Sequence, residues 1–367
     1  MKKIISIVNL LFLFITSNAQ MNPLSAPSPG GNRKAVTGER IGITDVTIMY
    51  DRPGVKGREG KIYGTPVVHN GFEDLGFGSS KAAPWRAGAN ENTTIEFSTN
   101  VKVEGKDLQA GKYGFFVAYG KDECIVIFSK DNGSWGSFFY DDKQDALRVK
   151  VKTVVLDKSV EWLKYEFIDQ TENSAVIALQ WEKVSIPFKV EVDLVTTSLN
   201  AFRKQLKSDK GFSWEAWEQA AGFCVTNNTN WEEGLTWSNN AVLFNKNFQT
   251  LVTRSTILDK LGKKMQADSA MKAALPLGSM NDLHFYGKQL LAQKKNKEAL
   301  EVFKTNAAKN PKQFTTYAGL NRGYSANGDY KTALVNAKLA LPLAPNAPNK
   351  NAIEEMIKKL EAGKDVN

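Results

Sequence analysis

The chain is short of the side chains that carry most metal and nucleophilic chemistry. Its 367 residues hold two cysteines, Cys124 and Cys224, and two histidines, His69 and His284. No CxxC, no paired-histidine zinc spacing and no phosphate-loop glycine pattern occurs, which argues against zinc modules, thioredoxin-like redox sites and P-loop nucleotide sites. The histidines fall in different halves of the chain, so a histidine-based triad would rest on His69 alone. No cofactor and no metal are expected. Long apolar runs are also missing: after the first twenty residues nothing approaches the ~18 apolar residues of a membrane helix, so the chain is not expected to span a membrane. Lysine and arginine total 48 against 39 acids, a formal charge of +9, yet no block of five or more like charges appears. Lysines such as Lys294, Lys295, Lys297 and Lys304 are spread along helix-like segments, which reads as a solvated basic surface and not as a nucleic-acid patch.

The start has the build of a targeting segment. Lys2-Lys3 precede an apolar run from Ile4 to Ile15, and Ser17-Asn18-Ala19 supplies small residues before a cut ahead of Gln20. Residues 1–19 are expected to be a signal peptide, whose removal lowers the charge from +9 to +7. The mature protein is then expected outside the cytoplasm, periplasmic or secreted. That compartment permits a Cys124–Cys224 disulfide. Cys124 lies in a strand-like run and Cys224 on an apolar helix face, however, so two buried thiols are the favoured reading. Residues 20–38 are rich in Pro, Ser, Gly and Asn early on and are expected to be a flexible leader.

From residue 39 to 193 the dominant period is two. Val46, Ile48 and Tyr50 alternate with Thr47, Met49 and Asp51, and Thr93, Ile95 and Phe97 with Thr94 and Glu96. Val184, Ile186, Phe188, Val190 and Val192 alternate with Ser185, Pro187, Lys189, Glu191 and Asp193. Many short strands with turn signals such as Gly105-Lys106 predict an antiparallel sandwich or barrel. Asp131-Asn132-Gly133 reads as a hairpin turn, and Pro187 predicts an edge strand. Near Leu194 the period changes. Residues 194–210 read as a connecting helix or linker, 211–362 as helical repeats and 363–367 as a tail. The fold class is thus an α+β multidomain chain, all-β first and all-α second.

The repeat shows in aligned small residues. Gly234, Ala267, Ala299 and Ala333 lie 33, 32 and 34 residues apart. Ser238, Met271, Phe303 and Ala337 follow four residues on, and Val242, Leu275, Ala307 and Leu341 eight residues on, as one stripe. Gly262, Lys294 and Gly328 sit five residues before three of the small residues, in the expected inter-helix turns. A unit of this length resembles the tetratricopeptide repeat, with the glycine-tyrosine pair of that pattern mostly missing. Such an array implies a protein partner.

The densest unusual residues are Tyr50-Asp51-Arg52-Pro53-Gly54-Val55-Lys56-Gly57-Arg58, Lys61-Ile62-Tyr63-Gly64 and Pro84-Trp85-Arg86-Ala87-Gly88-Ala89-Asn90-Glu91. With Ala110-Gly111-Lys112-Tyr113 and Trp135-Gly136, they closely resemble the exported bacterial family called domain of unknown function 2911, over about Ala26 to Asp193. The helical region that follows is similar to the tail of its longer members. The resemblance implies export and no established activity; it brings no catalytic residues. The stretch Thr65–Gly78, which holds His69, is longer than the family pattern.

Arg52, Arg58 and Arg86 beside glycine-rich turns offer planar donor forks for an anion or carboxylate, Trp85 a face for a sugar ring, and Asn90 and Glu91 partners for hydroxyls. The competing reading has the arginines tying down loop carbonyls and Trp85 closing the core. Arg58 is the better ligand contact and Arg86 the better scaffold. Asp51, Glu73, Asp74 and Glu91 leave open a paired-carboxylate hydrolase acting on an envelope carbohydrate or ester. The leading expectation is a non-enzymatic binding or scaffold protein, with the hydrolase or the carbohydrate- or anion-binding module as the rival.

Overall fold

The structure is a computed structural model that describes residues 31–367; the expected signal peptide 1–19 and residues 20–30 of the leader lie outside the described residues. The chain divides into two compact units, one ending at Leu194 and one running from Val195 to Asn367. No helix among the described residues is long and apolar enough to cross a membrane.

The first unit contains ten strands: β1 (Arg33–Ile41), β2 (Thr44–Arg52), β3 (Thr94–Phe97), β4 (Val101–Val103), β5 (Lys106–Leu108), β6 (Gly111–Ala118), β7 (Glu123–Ser129), β8 (Asp145–Lys152), β9 (Val154–Ile168) and β10 (Ser174–Glu191). They form a six-stranded sheet ordered β1-β2-β3-β6-β7-β8 and a four-stranded sheet ordered β5-β4-β10-β9, so both sheets keep open edges and no barrel closes. Ile48, Ile95, Phe115 and Phe128 of the first sheet share one core with Leu163, Ile177, Trp181 and Phe188 of the second. Phe115 stacks on Phe188 at 5.3 Å across that core. The alternating residues of β2 and β10 point where a period of two requires, with Val46, Ile48, Tyr50, Ile186, Phe188 and Val190 buried.

Four expectations for this unit need correction. Residues 33–38 of the leader are not flexible. They belong to β1, which pairs with β2 from Arg33↔Arg52 to Ile41↔Thr44. This strand is an edge with most side chains in water, so it carries no apolar alternation to announce it. Pro187 does not mark an edge strand. β10 lies between β4 and β9, but its β9 register ends at Ser185 and its β4 register begins at Val190, and Pro187 occupies the gap where no ladder donor is needed. Asp131-Asn132-Gly133 is not a hairpin turn either. It opens the long connection from β7 to β8, with the Asp131 carboxylate accepting from the Gly133 N–H at 3.2 Å. The turn expected at Gly105-Lys106 sits one residue earlier, at Glu104-Gly105, both with positive φ (49° and 75°), the geometry of a two-residue hairpin.

The second unit is all-helical: α1 (Leu194–Gln205), which begins on the unit boundary, then α2 (Trp214–Thr226), α3 (Trp231–Phe244), α4 (Phe248–Lys260), α5 (Lys264–Ala274), α6 (Met280–Ala292), α7 (Asn296–Lys309), α8 (Phe314–Ala326), α9 (Tyr330–Ala340) and α10 (Ala347–Glu361). The stretch read as a linker is largely α1, whose Leu199 packs with Leu206, Ala221, Cys224 and Trp237. The first helices of the pairs begin at 214, 248, 280 and 314 and the second at 231, 264, 296 and 330, which reproduces the 32–34-residue spacing. Gly262, Lys294 and Gly328 follow α4, α6 and α8 with φ of 72°, 60° and 81°, the left-handed residue that ends a helix. The tetratricopeptide-like architecture therefore stands on helix pairs, spacing and turns together.

The stripe differs in one respect. Gly234, Ala267, Ala299 and Ala333 are buried as expected. The deep position further along is the seventh residue and not the eighth: Ala241, Ala274, Asn306 and Ala340 are fully or almost fully buried, whereas Val242, Leu275, Ala307 and Leu341 are half-buried. Seven residues fall about 20° short of two helical turns and eight overshoot by about 80°. Cys124 and Cys224 are both buried free thiols.

Candidate functional site

The motif-rich segment closes one end of the β sandwich. β2 ends at Arg52, whose Nε donates to the Leu163 carbonyl at 2.8 Å and ties the strand to β9. The Leu163 N–H returns to the Pro53 carbonyl at 3.1 Å. Past this point the chain turns, and Arg58 folds back over it: Nε donates to the Val55 carbonyl at 3.0 Å and Nη2 to the Gly54 carbonyl at 2.8 Å. Its guanidinium lies 6.0 Å from the Trp181 ring centre.

Trp85 exchanges both backbone hydrogen bonds with Val117 at 2.9 Å and stacks on Trp181 at 6.2 Å and 18°. It is buried, so its ring is a core element and not an open platform for a sugar. Arg86 follows. Its Nη1 donates to the Asn90 carbonyl at 2.6 Å, and its guanidinium covers the Phe138 ring at 5.0 Å. Burial pulls its pKa down from the usual arginine value. Gly136 lies directly on this guanidinium, and a Cβ there would sit 2.1 Å from Arg86 Cζ. That contact is a physical reason for the glycine of Trp135-Gly136.

The loop between Arg86 and Asn92 is held from several sides. The Ala87 carbonyl accepts from Tyr165 Oη at 2.7 Å and Thr93 Oγ1 at 3.2 Å. Ala87 and Asn90 both have positive φ, 51° and 55°. Asn90 Nδ2 donates to Asp51 Oδ1 at 3.3 Å, and Asn90 Oδ1 accepts from Asn32 at 3.3 Å. Asp51 is buried, and its carboxyl is pushed up to about 6, first by that burial and then by a hydrogen bond to Glu91. Glu91 moves the other way because it accepts that bond and pairs with Lys34 at 3.2 Å. Of the two, Asp51 keeps its proton to the higher pH.

Four of the six candidate residues line one cavity of about 330 Å³: Arg58, Trp85, Arg86 and Asn90, joined by Trp181 and Pro53. Glu91 lines a smaller neighbouring cavity of about 230 Å³ with Asp51, Lys34, Lys112 and Trp135. Arg52 lines neither of the two. Glu73 and Asp74 also stand apart, Asp74 paired with Lys81 at 3.1 Å. Trp181 was missed by sequence reasoning, since it sits far along the chain in β10 and only the sheet pairing brings it to Trp85. His69 is buried and its Nδ1 has no hydrogen-bond partner.

The family model described as protein of unknown function (DUF2911) matches residues 32–190. The β unit is a DUF2911 domain. Solved structures resemble the helical part. The C-terminal part of a TPR repeat-containing protein from Cytophaga hutchinsonii is 14% identical, with 46% of this chain and 67% of that chain covered and a TM-score of 0.33. YrrB, titled a TPR protein with an unusual peptide-binding site, is 18% identical over 44% of this chain and 84% of its own, with a TM-score of 0.29. MamA from Desulfovibrio magneticus RS-1 is 19% identical over 42% and 95%, with a TM-score of 0.26. No curated protein matches the chain.

Beyond the DUF2911 domain, the helical unit carries a groove of about 460 Å³ formed by α3, α4 and α5. Val242, Leu251, Met265, Ala270 and Ala273 make its apolar wall, and Lys246 and Arg254 its charges. No acid lines it. Arg254 Nε is buried without a hydrogen-bond partner. Met265 in the groove is 87% exposed, and Leu243 and Phe244, next to Val242 in the chain, are 81% and 53% exposed.

Proposed function

We propose that the protein is an exported binding protein whose helical array holds a segment of a protein partner that is apolar and bears a carboxylate. The observation that carries this reading is the α3–α5 groove. Large apolar side chains standing in water at the end of one helix and the start of another mark an interaction surface more often than chance exposure does. The unpaired Arg254 and Lys246, with no acid on the groove wall, set the charge such a partner must bring. A repeat array buries its core between neighbouring helices and leaves its outer faces for recognition, which agrees with this use.

Full-length protein immobilised and exposed to envelope extract should retain one specific partner, and Met265→Asp and Leu243→Asp should each lose it. Both positions are exposed, so these changes leave the fold alone. Retention of the same partner by both variants would sink the groove as the docking surface. Export rests on the Lys2-Lys3 start, the apolar run to Ile15 and the small residues before Gln20. Terminal sequencing of the protein from the envelope fraction should begin at Gln20; a chain still starting at Met1 would count against processing.

A further inference from the structure

We propose that the DUF2911 domain binds a neutral sugar ring in the cavity beside Glu91, with the ring stacked on the open indole face of Trp135 and its hydroxyls on the polar groups around it. The proposal rests on the β unit alone and is independent of the groove in the helical unit.

The apolar surface of this cavity is open. Trp135 is 55% exposed and Met49 39% exposed, and both line the same space of about 230 Å³. The loop that carries Trp135 is pinned on both sides of it. Ahead of it the Asp131 carboxylate accepts from the Gly133 N–H at 3.2 Å and the Ser134 hydroxyl at 2.5 Å. Behind it Gly136 lies on the Arg86 guanidinium. An exposed aromatic ring on a pinned loop is preorganised, so a ligand stacking on it freezes little further motion. The electron-rich face of an indole suits the C–H groups that one side of a pyranose ring presents.

The polar groups around Trp135 are held and still have capacity left. Glu91 is partly exposed and is fixed by Lys34 at 3.2 Å and by its hydrogen bond with Asp51. A carboxylate offers about four lone-pair sites, so further hydroxyls can bond to it. Asn132 spends Nδ2 on the Lys112 carbonyl at 2.9 Å, which leaves Oδ1 as an acceptor. The Lys112 ammonium is exposed and supplies donors. Asn92 lines the same cavity, 8% exposed, and its Oδ1 has no partner in the protein. An unmet acceptor at a polar cavity calls for a donor.

Charge and size then choose the ligand class. Lys34 and Lys112 balance Asp51 and Glu91 around the cavity, so no net charge is asked of the ligand. Donors and acceptors are interleaved, which suits hydroxyls because each can do both. The volume lies below the roughly 300–1,000 Å³ of drug-sized sites, so the cavity takes a single ring.

An NMR titration of the full chain with methyl β-D-glucopyranoside tests the proposal, read at the Trp135 indole N–H, whose signal is the one missing in Trp135→Phe. The signal should shift and saturate. Mannitol, with hydroxyls but no ring face, should bind at least about tenfold more weakly. Glucosamine and glucuronate, the same ring with a positive or a negative charge, should bind no more tightly than the neutral glycoside. By saturation transfer from protein to ligand, Trp135→Ala should lose about tenfold or more in affinity with parental melting, because the side chain is exposed. Trp135→Phe should keep part of the binding and Arg40→Gln, in an exposed pair with Asp45, all of it. Three results would overturn the proposal: a signal that never saturates, Trp135→Ala binding like the parent, or mannitol or either charged sugar binding more tightly than the glycoside. The phenylalanine variant keeps the test decisive if the alanine variant melts early, since binding at full parental strength without an indole would also count against it.

Discussion

At Arg86 the guanidinium lies on the bare Cα of Gly136, so neither residue can be read without the other. Truncating Arg86 to alanine leaves the Asn90 carbonyl without its charged donor, a loss of about 1–3 kcal/mol. Gly136→Ala drives a methyl group into the guanidinium at a residue with φ of 62° and should cost about 2–4 kcal/mol. The double variant should cost less than the sum, because removing the arginine relieves the clash, and a thermal-melt cycle reads that coupling directly. Additive losses would mean the two do not touch. Turn context already made Arg86 the better scaffold residue, tied to loop carbonyls, but it did not say which groups the guanidinium meets. Its partners are a carbonyl four residues on and a glycine fifty residues on, and only the second of these depends on the fold. Glu218 offers a test of a different kind. It is buried on α2, its Oε1 takes the Thr253 hydroxyl at 2.5 Å, and burial pushes its pKa up to about 7. A carboxyl raised on folding binds more protons folded than unfolded, so its contribution weakens as pH rises from about 4.5 through 7. Glu218→Gln should therefore flatten the melting temperature of the helical unit across that window by an equivalent of roughly 1–3 kcal/mol. An unchanged pH profile would place the Glu218 titration elsewhere.

Phe303 sets the packing of three helices. It comes from α7 and is fully buried, and it lies against the glycines of α6 and α8. A Cβ at Gly287 would come within 2.4 Å of its ring, at Gly319 within 2.6 Å and at Gly323 within 2.9 Å. Glycine lowers intrinsic helix stability, so three glycines around one ring mark helices brought close by what fills the gap. Phe303→Ala should cost about 3–5 kcal/mol, and Gly287→Ala about 1–3 kcal/mol from overpacking. Gly287→Ala with Phe303→Leu should recover part of the second loss in urea melts; no recovery would separate the two sites. The stripe that includes Phe303 was legible because small residues recur at a fixed spacing, and the inter-helix turns were legible through Gly262 and Gly328. Its partner glycines were not, since they fall outside that stripe on the other helix of each pair. In the β unit the contrast is similar. β2 and β10 declare themselves by alternation, while β1 is an edge strand with polar side chains that only its pairing with β2 reveals.

The two units have separate cores, and the manner of unfolding follows from how each core is built. The apolar cluster of the β unit runs from Ile41 to Val192 as one connected body drawn from both sheets. Its contacts join residues distant in sequence, as β2 with β3 and β4 with β10, so no part of the sandwich keeps its core if another is lost. The helical unit instead divides its apolar residues into separate clusters: one around Leu199, Cys224 and Trp237, another around Leu283 and Phe303, and a third around Ala333, Ile353 and Leu360. Each joins helices near one another in the chain, the pattern of an array in which neighbours stabilise neighbours. α10 closes the last cluster, covering Ala333, Ala337 and Ala340 with Ile353 and Leu360. Calorimetry of the full chain should accordingly show a sharp transition for residues 31–194, reproduced by that fragment alone, and a broader one for the helical unit. Deleting residues 347–367 should lower and broaden the second transition by uncovering those alanines, while the first keeps its midpoint. A single transition that the deletion shifts as a whole would show that the units unfold together, and would remove separate cores as the basis for treating the array and the DUF2911 domain as independent binding elements.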